Sequence, residues 1–213
     1  MSAIVKICGL REAEHVDAAV EAGAGLTGFV FFAPSPRNID VAHAASLTAR
    51  VPAGVRKVAL SVDADDDFLS AIVDGAGVDT LQLHGSESVE RVARVRNTFG
   101  LPVIKALPVS SAADIEAARA YEGHADMLLF DAKPPRDATR PGGNAESFDW
   151  TLLQGVAFRV PWLLAGGLDA ANVAGALRTT KAPMVDVSSG VEDENGRKCS
   201  RKIREFITAV KAG

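Results

Sequence analysis

The chain has 213 residues, of which 47% are hydrophobic and 23% charged, and its formal net charge is −4. This composition is typical of a globular protein, and the lack of a lysine- and arginine-rich cluster argues against nucleic-acid binding. No apolar run reaches the roughly 20 residues that cross a bilayer. The N-terminus enters a strand pattern without a signal-peptide core, and two cysteines make no disulfide framework. We therefore expect a cytoplasmic protein with reduced cysteines.

Strand-like and helix-like segments alternate along the whole chain. Apolar or β-branched runs occur at residues 3–7, 28–32, 55–61, 79–83, 102–106, 126–130, 161–165 and 184–187. Segments with helical spacing follow at 11–22, 40–50, 65–75, 86–98, 111–120, 149–154, 169–179 and 200–211. Eight such repeats predict an α/β protein, a single-domain (β/α)8 TIM barrel over residues 1–213. A doubly wound open sheet is the alternative, but it requires a glycine-rich phosphate fingerprint that the turn Cys8-Gly9-Leu10-Arg11 lacks.

One long segment, residues 132–147, shows no periodicity. A loop of that length in a compact domain is usually functional or mobile. It follows the sixth predicted strand, at the end of a barrel where active sites lie.

Chemically active side chains stand at the carboxyl ends of the predicted strands. Cys8 ends the first strand, His84 follows the fourth and Asp131 follows the sixth. A thiol in this position can be a nucleophile, a proton-accepting base or an inert small hydrophobic group. A nucleophile needs a paired histidine, and His84 is the reasonable partner. His84 otherwise fits either a substrate contact or a turn before Gly85, and it is retained as a substrate-binding candidate.

Two segments near the end of the chain predict a phosphate site. Gly166 and Gly167 follow the seventh strand, and Ser188, Ser189 and Gly190 follow the eighth. The glycines allow close approach of the backbone to a ligand, and backbone N–H groups at the start of a short helix attract an anion. The loops after strands seven and eight are the usual phosphate location in such barrels. No histidine, cysteine or carboxylate cluster has metal-ligand spacing, so we expect no metal.

Seven blocks of this sequence, in order, resemble the phosphoribosylanthranilate isomerase family. They are Lys6-Ile7-Cys8-Gly9-Leu10, Ser35-Pro36-Arg37, Gln82-Leu83-His84-Gly85, Leu129-Phe130-Asp131, Phe148-Asp149-Trp150, Leu164-Ala165-Gly166-Gly167-Leu168 and Asp186-Val187-Ser188-Ser189-Gly190-Val191-Glu192. The resemblance implies an isomerase of tryptophan biosynthesis that acts on a small phosphorylated substrate without a cofactor. The reaction would be the Amadori rearrangement of N-(5-phosphoribosyl)anthranilate to 1-(2-carboxyphenylamino)-1-deoxyribulose 5-phosphate. A monomer or homodimer is expected, with no nucleic-acid or membrane partner.

The resemblance also implies roles for three side chains. Asp131 would be the general acid that opens the furanose ring, and Cys8 the general base that removes the proton from C2. Arg37 would hold the anthranilate carboxylate, because a guanidinium can bind a carboxylate through two parallel hydrogen bonds.

Lys6 lies one layer below Cys8, because alternate residues of a strand share a face. An ammonium at that position would favour the thiolate form of Cys8. A buried lysine also needs a partner, and Asp186 on the eighth strand is the candidate.

Two departures from the family pattern stand out. Gly142-Gly143-Asn144-Ala145 replaces a Gly-Gly-Thr-Gly stretch, and Cys199 follows Lys198 where an aspartate is usual. Neither change touches the expected acid or base. The alternatives are another phosphosugar isomerase barrel, such as the histidine-pathway enzyme with its paired carboxylates, and a non-catalytic phosphate-binding barrel.

Overall fold

The eight strands pair in parallel, each with its sequence neighbour, and β1 pairs with β8 to close the barrel. The computed structural model describes residues 2–133, 142 and 147–213. The strands are β1 (Ile4–Cys8), β2 (Leu26–Phe31), β3 (Arg56–Ser61), β4 (Thr80–Leu83), β5 (Val103–Val109), β6 (Met127–Ala132), β7 (Trp162–Leu164) and β8 (Met184–Val187). The predicted barrel is confirmed, and the eight predicted strands match the observed ones within a few residues.

Helices cover the outside of the barrel. They are α1 (Ala13–Ala22), α2 (Val41–Thr48), α3 (Asp66–Gly75), α4 (Val89–Phe99), α5 (Ala112–Ala118), α6 (Val173–Thr180) and α7 (Ser200–Ala212). Single-turn 3₁₀ helices occupy Arg119–Tyr121, Trp150–Leu153 and Ser189–Val191. Within the described part of the chain, no helix has the length and apolar character needed to cross a membrane.

One predicted helix is wrong. Residues 149–154 form only a single 3₁₀ turn, which Asp149 caps by accepting the Thr151 N–H at 3.0 Å. The turn stops at Gly155, whose φ is +74°. So short a segment forms too few hydrogen bonds to offset the entropy of starting an α-helix.

Strand alternation sorts the core into two regions. Outward side chains such as Phe29, Phe130 and Val185 pack against the helices, whereas Leu26, Val58 and Leu129 fill the barrel interior. Nearer the carboxyl ends, Cys8, Val30 and Leu60 form a separate apolar cluster. Apolar side chains thus fill much of the barrel interior, and chemically active groups gather at the carboxyl ends of the strands.

Candidate active site

A pocket opens at the carboxyl ends of the strands. The sequence-predicted residues that line it are Cys8, Arg37, His84, Asp131, Gly166, Gly167, Ser188 and Ser189. Gly190 does not line it; the space where a side chain would begin is filled by the carbonyl of Leu168. This close packing joins the loops after β7 and β8. Gly190 therefore requires glycine for packing within the wall, and its predicted direct contact with a ligand stays a prediction.

One wall of the pocket is apolar. It is lined by Val30, Phe32, Leu60 and Val62. Val30 and Leu60 also pack against Cys8. The thiol therefore sits where a hydrocarbon surface meets the polar part of the pocket.

Cys8 points inward at the end of β1 and is 4% exposed. Its room depends on Gly28, the register neighbour on β2, where a β-carbon would lie 3.0 Å from Sγ. Burial raises the pKa of the Cys8 thiol, and the charge of Lys6 offsets this only in part. The expected influence of Lys6 is therefore present, but it does not outweigh burial, which keeps the thiol form in excess at neutral pH.

Lys6 and Asp186 form an ion pair beneath the thiol. Lys6 is completely buried, and its Nζ lies 2.9 Å from Oδ1 of Asp186, its register neighbour on β8. Burial opposes the ammonium form, but the Asp186 carboxylate and the Cys8 sulfur together raise the pKa of Lys6 above its ordinary value. The predicted partner of Lys6 is confirmed, and Lys6 is a cation below the thiol.

Each carboxyl oxygen of Asp131 has a nitrogen close to it. Oδ1 accepts the backbone N–H of Ala132 at 2.9 Å, and Oδ2 lies 3.3 Å from Nε2 of His84. The other ring nitrogen of His84, Nδ1, lies 2.9 Å from the side-chain nitrogen of Gln82. Gln82, His84 and Asp131 thus form a chain of polar groups from the barrel interior to the pocket.

Gly142 covers the end of this chain. A β-carbon there would stand 2.6 Å from Oδ2 of Asp131 and 2.7 Å from Nε2 of His84. Its neighbours Gly143, Asn144 and Ala145, where the sequence departs from the family pattern, lie outside the described residues, as does most of the segment 132–147.

Arg37 is paired inside the protein, a feature that the sequence did not indicate. Its Nε and Nη2 donate to the two carboxylate oxygens of Glu192 at 2.6 and 2.8 Å. Lys198 Nζ donates to Oε1 of Glu192 at 2.7 Å. Gly9 makes room for the arginine, since a β-carbon there would lie 2.6 Å from Cδ of Arg37.

All three of these charged groups have shifted pKa values. Burial works against the charge of Arg37, but its bonds to Glu192 raise the pKa of Arg37 above its ordinary value. Burial works against the charge of Glu192, but Arg37 and Lys198 outweigh it and hold the pKa of Glu192 below its usual value. Burial lowers the pKa of Lys198 to about 8. At neutral pH the cluster therefore holds two cations and one anion, which leaves a net positive charge beside the pocket.

The proposed phosphate loops have the backbone that glycine permits. Gly166 and Gly167 have φ values of +84° and +62°, in the left-handed region. Ser188 precedes the 3₁₀ turn, and its hydroxyl donates to the carbonyl of Cys8 at 3.2 Å, while Lys198 Nζ donates to the Ser188 carbonyl at 2.8 Å. The loop after β8 is therefore tied both to Cys8 and to the charged cluster.

Sequence reasoning missed Glu192, Lys198 and Gln82 as parts of the site. Glu192 and Gln82 lie in two of the seven blocks that carry the family resemblance, and Lys198 precedes Cys199, which departs from the family pattern. Their positions could have indicated a role for two of them, since Glu192 and Lys198 are charged residues in the loop after β8. Cys199 is a free, partly buried cysteine at the start of α7 that does not line the pocket.

Comparison with known proteins places this architecture in a family. The family model described as N-(5'phosphoribosyl)anthranilate (PRA) isomerase matches residues 5–209. A relative from Rhodospirillum rubrum, named N-(5'-phosphoribosyl)anthranilate isomerase, is 54% identical over 214 residues, covering 99% of this chain and 98% of the relative. A relative of the same name from Rhodopseudomonas palustris is 53% identical over 212 residues, covering 100% of both chains.

Solved structures agree with the sequence relatives. The crystal structure of phosphoribosyl anthranilate isomerase from Thermotoga maritima superposes with a TM-score of 0.88 at 33% identity, covering 99% of this chain and 100% of that one. A second crystal structure of a phosphoribosyl anthranilate isomerase, in complex with reduced 1-(o-carboxyphenylamino)-1-deoxyribulose 5-phosphate, has a TM-score of 0.84 at 31% identity and covers 99% of this chain and 100% of that one.

Proposed function

This chain belongs to the N-(5'-phosphoribosyl)anthranilate isomerase family, and we propose that Cys8 and Asp131 are the general base and general acid of its reaction. It is an isomerase of tryptophan biosynthesis and converts N-(5-phosphoribosyl)anthranilate to 1-(2-carboxyphenylamino)-1-deoxyribulose 5-phosphate. The observation that best supports the two roles is that Cys8 and Asp131, from strands β1 and β6, line the same pocket.

The first step opens the furanose ring. Asp131 gives its proton to the ring oxygen as the C1–O bond breaks, and the bonding electrons stay with that oxygen. The anthranilate nitrogen donates its lone pair to C1, which forms an iminium ion. Asp131 becomes a carboxylate, and the backbone N–H of Ala132 and the nearby ring of His84 stabilise the charge that it gains.

The second step removes the proton from C2. The Cys8 thiolate takes that proton and becomes a thiol, and the electrons of the C–H bond neutralise the iminium to give an enolamine. The enolamine becomes the ketone when its hydroxyl loses a proton and C1 gains one, so the overall reaction is an isomerisation. Because the iminium charge acidifies the C2 proton, a base of moderate strength suffices.

The thiolate is the scarce form of Cys8, since burial raises the pKa of the thiol. Lys6 limits this penalty by placing a buried ammonium below the sulfur. Exclusion of water has a compensating advantage, because a thiolate that is poorly hydrated needs to lose less solvent before it reacts.

The charges and the shape of the pocket suggest where each part of the substrate binds. We propose that Arg37 supplies the cation for the anthranilate carboxylate, with Glu192 fixing the plane of its guanidinium and Lys198 offsetting the charge of Glu192. The apolar wall that contains Val30 and Leu60 suits the aromatic ring. The phosphate would bind the backbone of Gly166, Gly167, Ser188 and Ser189, and His84 and Gly190 complete the proposed substrate-binding set.

We further propose that residues 1–213 act as a single barrel domain in the cytoplasm, as a monomer or homodimer. One solved relative, from Thermotoga maritima, is described as a dimeric enzyme from which monomers were generated. Light scattering of the purified chain would decide between the two assemblies.

The test is turnover of freshly made phosphoribosylanthranilate, followed as the loss of its fluorescence. The wild type is expected to turn it over, and Cys8→Ala and Asp131→Asn to lose about 10²-fold or more of kcat. Cys199→Ala, the matched cysteine outside the pocket, should keep full activity. A folded wild type without turnover would overturn the function, whereas an active Cys8→Ala would overturn only the assignment of the base.

A further inference from the structure

Gln82 occupies the barrel interior at a cost to stability. Its side chain is fully buried on β4, and its Oε1 has no hydrogen-bond partner among the residues that the structure describes. A buried amide oxygen without a partner loses its hydrogen bonds to water and gains none in return, a cost that an apolar side chain of similar size would avoid. Packing alone therefore does not account for a glutamine at this position.

The one side-chain hydrogen bond of Gln82 in the described structure joins its nitrogen to Nδ1 of His84, at 2.9 Å. A neutral imidazole carries hydrogen on one ring nitrogen, and the partner of the other nitrogen decides which one. Because the amide N–H donates to Nδ1, Nδ1 is the acceptor and Nε2 carries the hydrogen. Gln82 thereby selects the tautomer of His84.

In this tautomer the ring hydrogen lies on the nitrogen nearest the acid. Nε2 of His84 is 3.3 Å from Oδ2 of Asp131, close enough for its N–H to donate once the carboxyl group is charged. With the opposite tautomer, the lone pair of Nε2 would face a carboxylate oxygen, and the two acceptors would repel each other. The second oxygen of Asp131, Oδ1, is already engaged by the N–H of Ala132.

The strength of the interaction between His84 and Asp131 changes during the reaction. When Asp131 gives up its proton, Oδ2 becomes part of a carboxylate, and hydrogen bonds to charged acceptors are roughly twice as strong as those to neutral ones. The contact from His84 is therefore stronger after proton transfer than before it. An interaction that strengthens along the reaction lowers its barrier, whereas one that is constant does not.

We propose that Gln82 is a positioning residue that holds His84 in the Nε2–H tautomer, so that His84 stabilises the Asp131 carboxylate formed when the furanose ring opens. This inference rests on the proposed role of Asp131 as general acid. It gives His84 a function in proton transfer in addition to substrate contact, and it explains why a buried amide with an unpaired oxygen is tolerated.

Gln82→Met tests the proposal, because methionine keeps the bulk and removes the amide. We expect kcat to fall by about tenfold or more, within the range that general acid catalysis contributes. KM should stay within about twofold, since uniform binding is unchanged. The thermal unfolding midpoint should stay the same or rise, because the unpaired oxygen is gone. A residue that only packs would give lower stability with unchanged kcat, which would overturn the proposal.

Thr80→Val is the matched control. Thr80 lies on the same strand and the same inward face, is equally buried, and its hydroxyl contacts only the neighbouring Asp79 in the described structure. Its removal should leave kcat unchanged.

Nitrogen-15 NMR of histidine-labelled protein gives an independent readout that does not require the variant to fold. We expect the wild type to show neutral His84 with hydrogen on Nε2, and folded Gln82→Met to show a mixture of tautomers. Hydrogen on Nδ1 in the wild type would overturn the proposal. Wild-type turnover is measured on the same sample, and its absence would overturn the proposed function instead, so the two failures are distinguishable.

Discussion

Gly142 lies against the carboxyl group of Asp131 so closely that a β-carbon would stand 2.6 Å from Oδ2. The same β-carbon would stand 2.7 Å from Nε2 of His84, so a side chain at this position would separate the proposed acid from its donor. Glycine is required here because a side chain would have no space.

Gly142→Ala should therefore impair catalysis more than folding. We expect kcat to fall by about tenfold or more, because a displaced acid loses the alignment on which proton transfer depends. The midpoint of thermal unfolding should change little. Gly123→Ala is the control, since a β-carbon at Gly123 meets nothing within 4 Å and its φ is not positive. Equal activity of both variants would show that the contact has no part in the reaction.

Lys6→Met should move the pH dependence of kcat. The reactive form of Cys8 is the thiolate, and the Lys6 ammonium lowers the pKa of that thiol. Without the ammonium the thiol pKa rises further, so the ascending limb of the pH–rate profile is expected to shift to higher pH. The variant also leaves Asp186 buried and unpaired, which should cost about 3–5 kcal/mol of unfolding free energy.

Lys105→Met separates these two effects. Lys105 is also buried and pairs with Glu87 at 2.7 Å, but it does not line the pocket. The Lys105→Met variant should lose about as much unfolding free energy as Lys6→Met, while the ascending limb of its pH–rate profile stays at the wild-type pH. An unshifted limb and full activity in Lys6→Met would exclude Lys6 as an influence on the base.

Arg37→Ala should raise KM far more than it lowers kcat. A hydrogen bond to a charged group contributes about 1.5–3 kcal/mol, which corresponds to a change in KM of about 10- to 150-fold. Arg37→Lys should restore only part of the lost substrate affinity, because lysine keeps the charge but cannot hold a carboxylate through two parallel hydrogen bonds. Steady-state kinetics over a range of substrate concentrations measures both constants, and a KM that barely moves would remove Arg37 from substrate binding.

KM should rise as the pH passes about 8, where Lys198 loses its proton. Below that pH the ammonium is present and the cluster with Arg37 and Glu192 is positive; above it the charges cancel and the attraction for an anionic substrate weakens. We expect a rise of about two- to tenfold, the size of one charge removed at the pocket edge. In Lys198→Met, KM should already be raised below pH 8, to about the wild-type value at high pH, and should not vary across this range. A wild-type KM constant from pH 7 to 9 would contradict the prediction.

The barrel and its main functional positions could be predicted from the sequence, because strand ends are marked locally. Cys8, Asp131 and Gly166 each follow an apolar run, and the carboxyl ends of such strands meet at one end of a barrel. Lys6 and Asp186 could be paired in advance because their faces follow from strand alternation and β1 must meet β8.

The pairings made by loops could not be predicted. Arg37 and Glu192 are separated by 155 positions, and their contact depends on how two loops fold over Gly9. Gln82 resembles any polar residue near a strand end until the distance to His84 is known. Likewise, the net effect of burial and Lys6 on the thiol of Cys8 depends on how completely the sulfur is enclosed, which is a property of the packed structure.

The Lys6–Asp186 ion pair also crosses the seam between the first and last strands. Its two residues are 180 positions apart, as are Ser188 and Cys8, whose side-chain and backbone oxygens form a second bridge across the same seam. Contacts of such high sequence separation are the ones for which a chain must close its longest loop. The environment of the base thus exists only once the ends of the barrel have met. On heating or in denaturant, separation of β1 from β8 should abolish turnover before the helical signal in circular dichroism declines. Loss of activity would therefore report the opening of the barrel between its first and last strands.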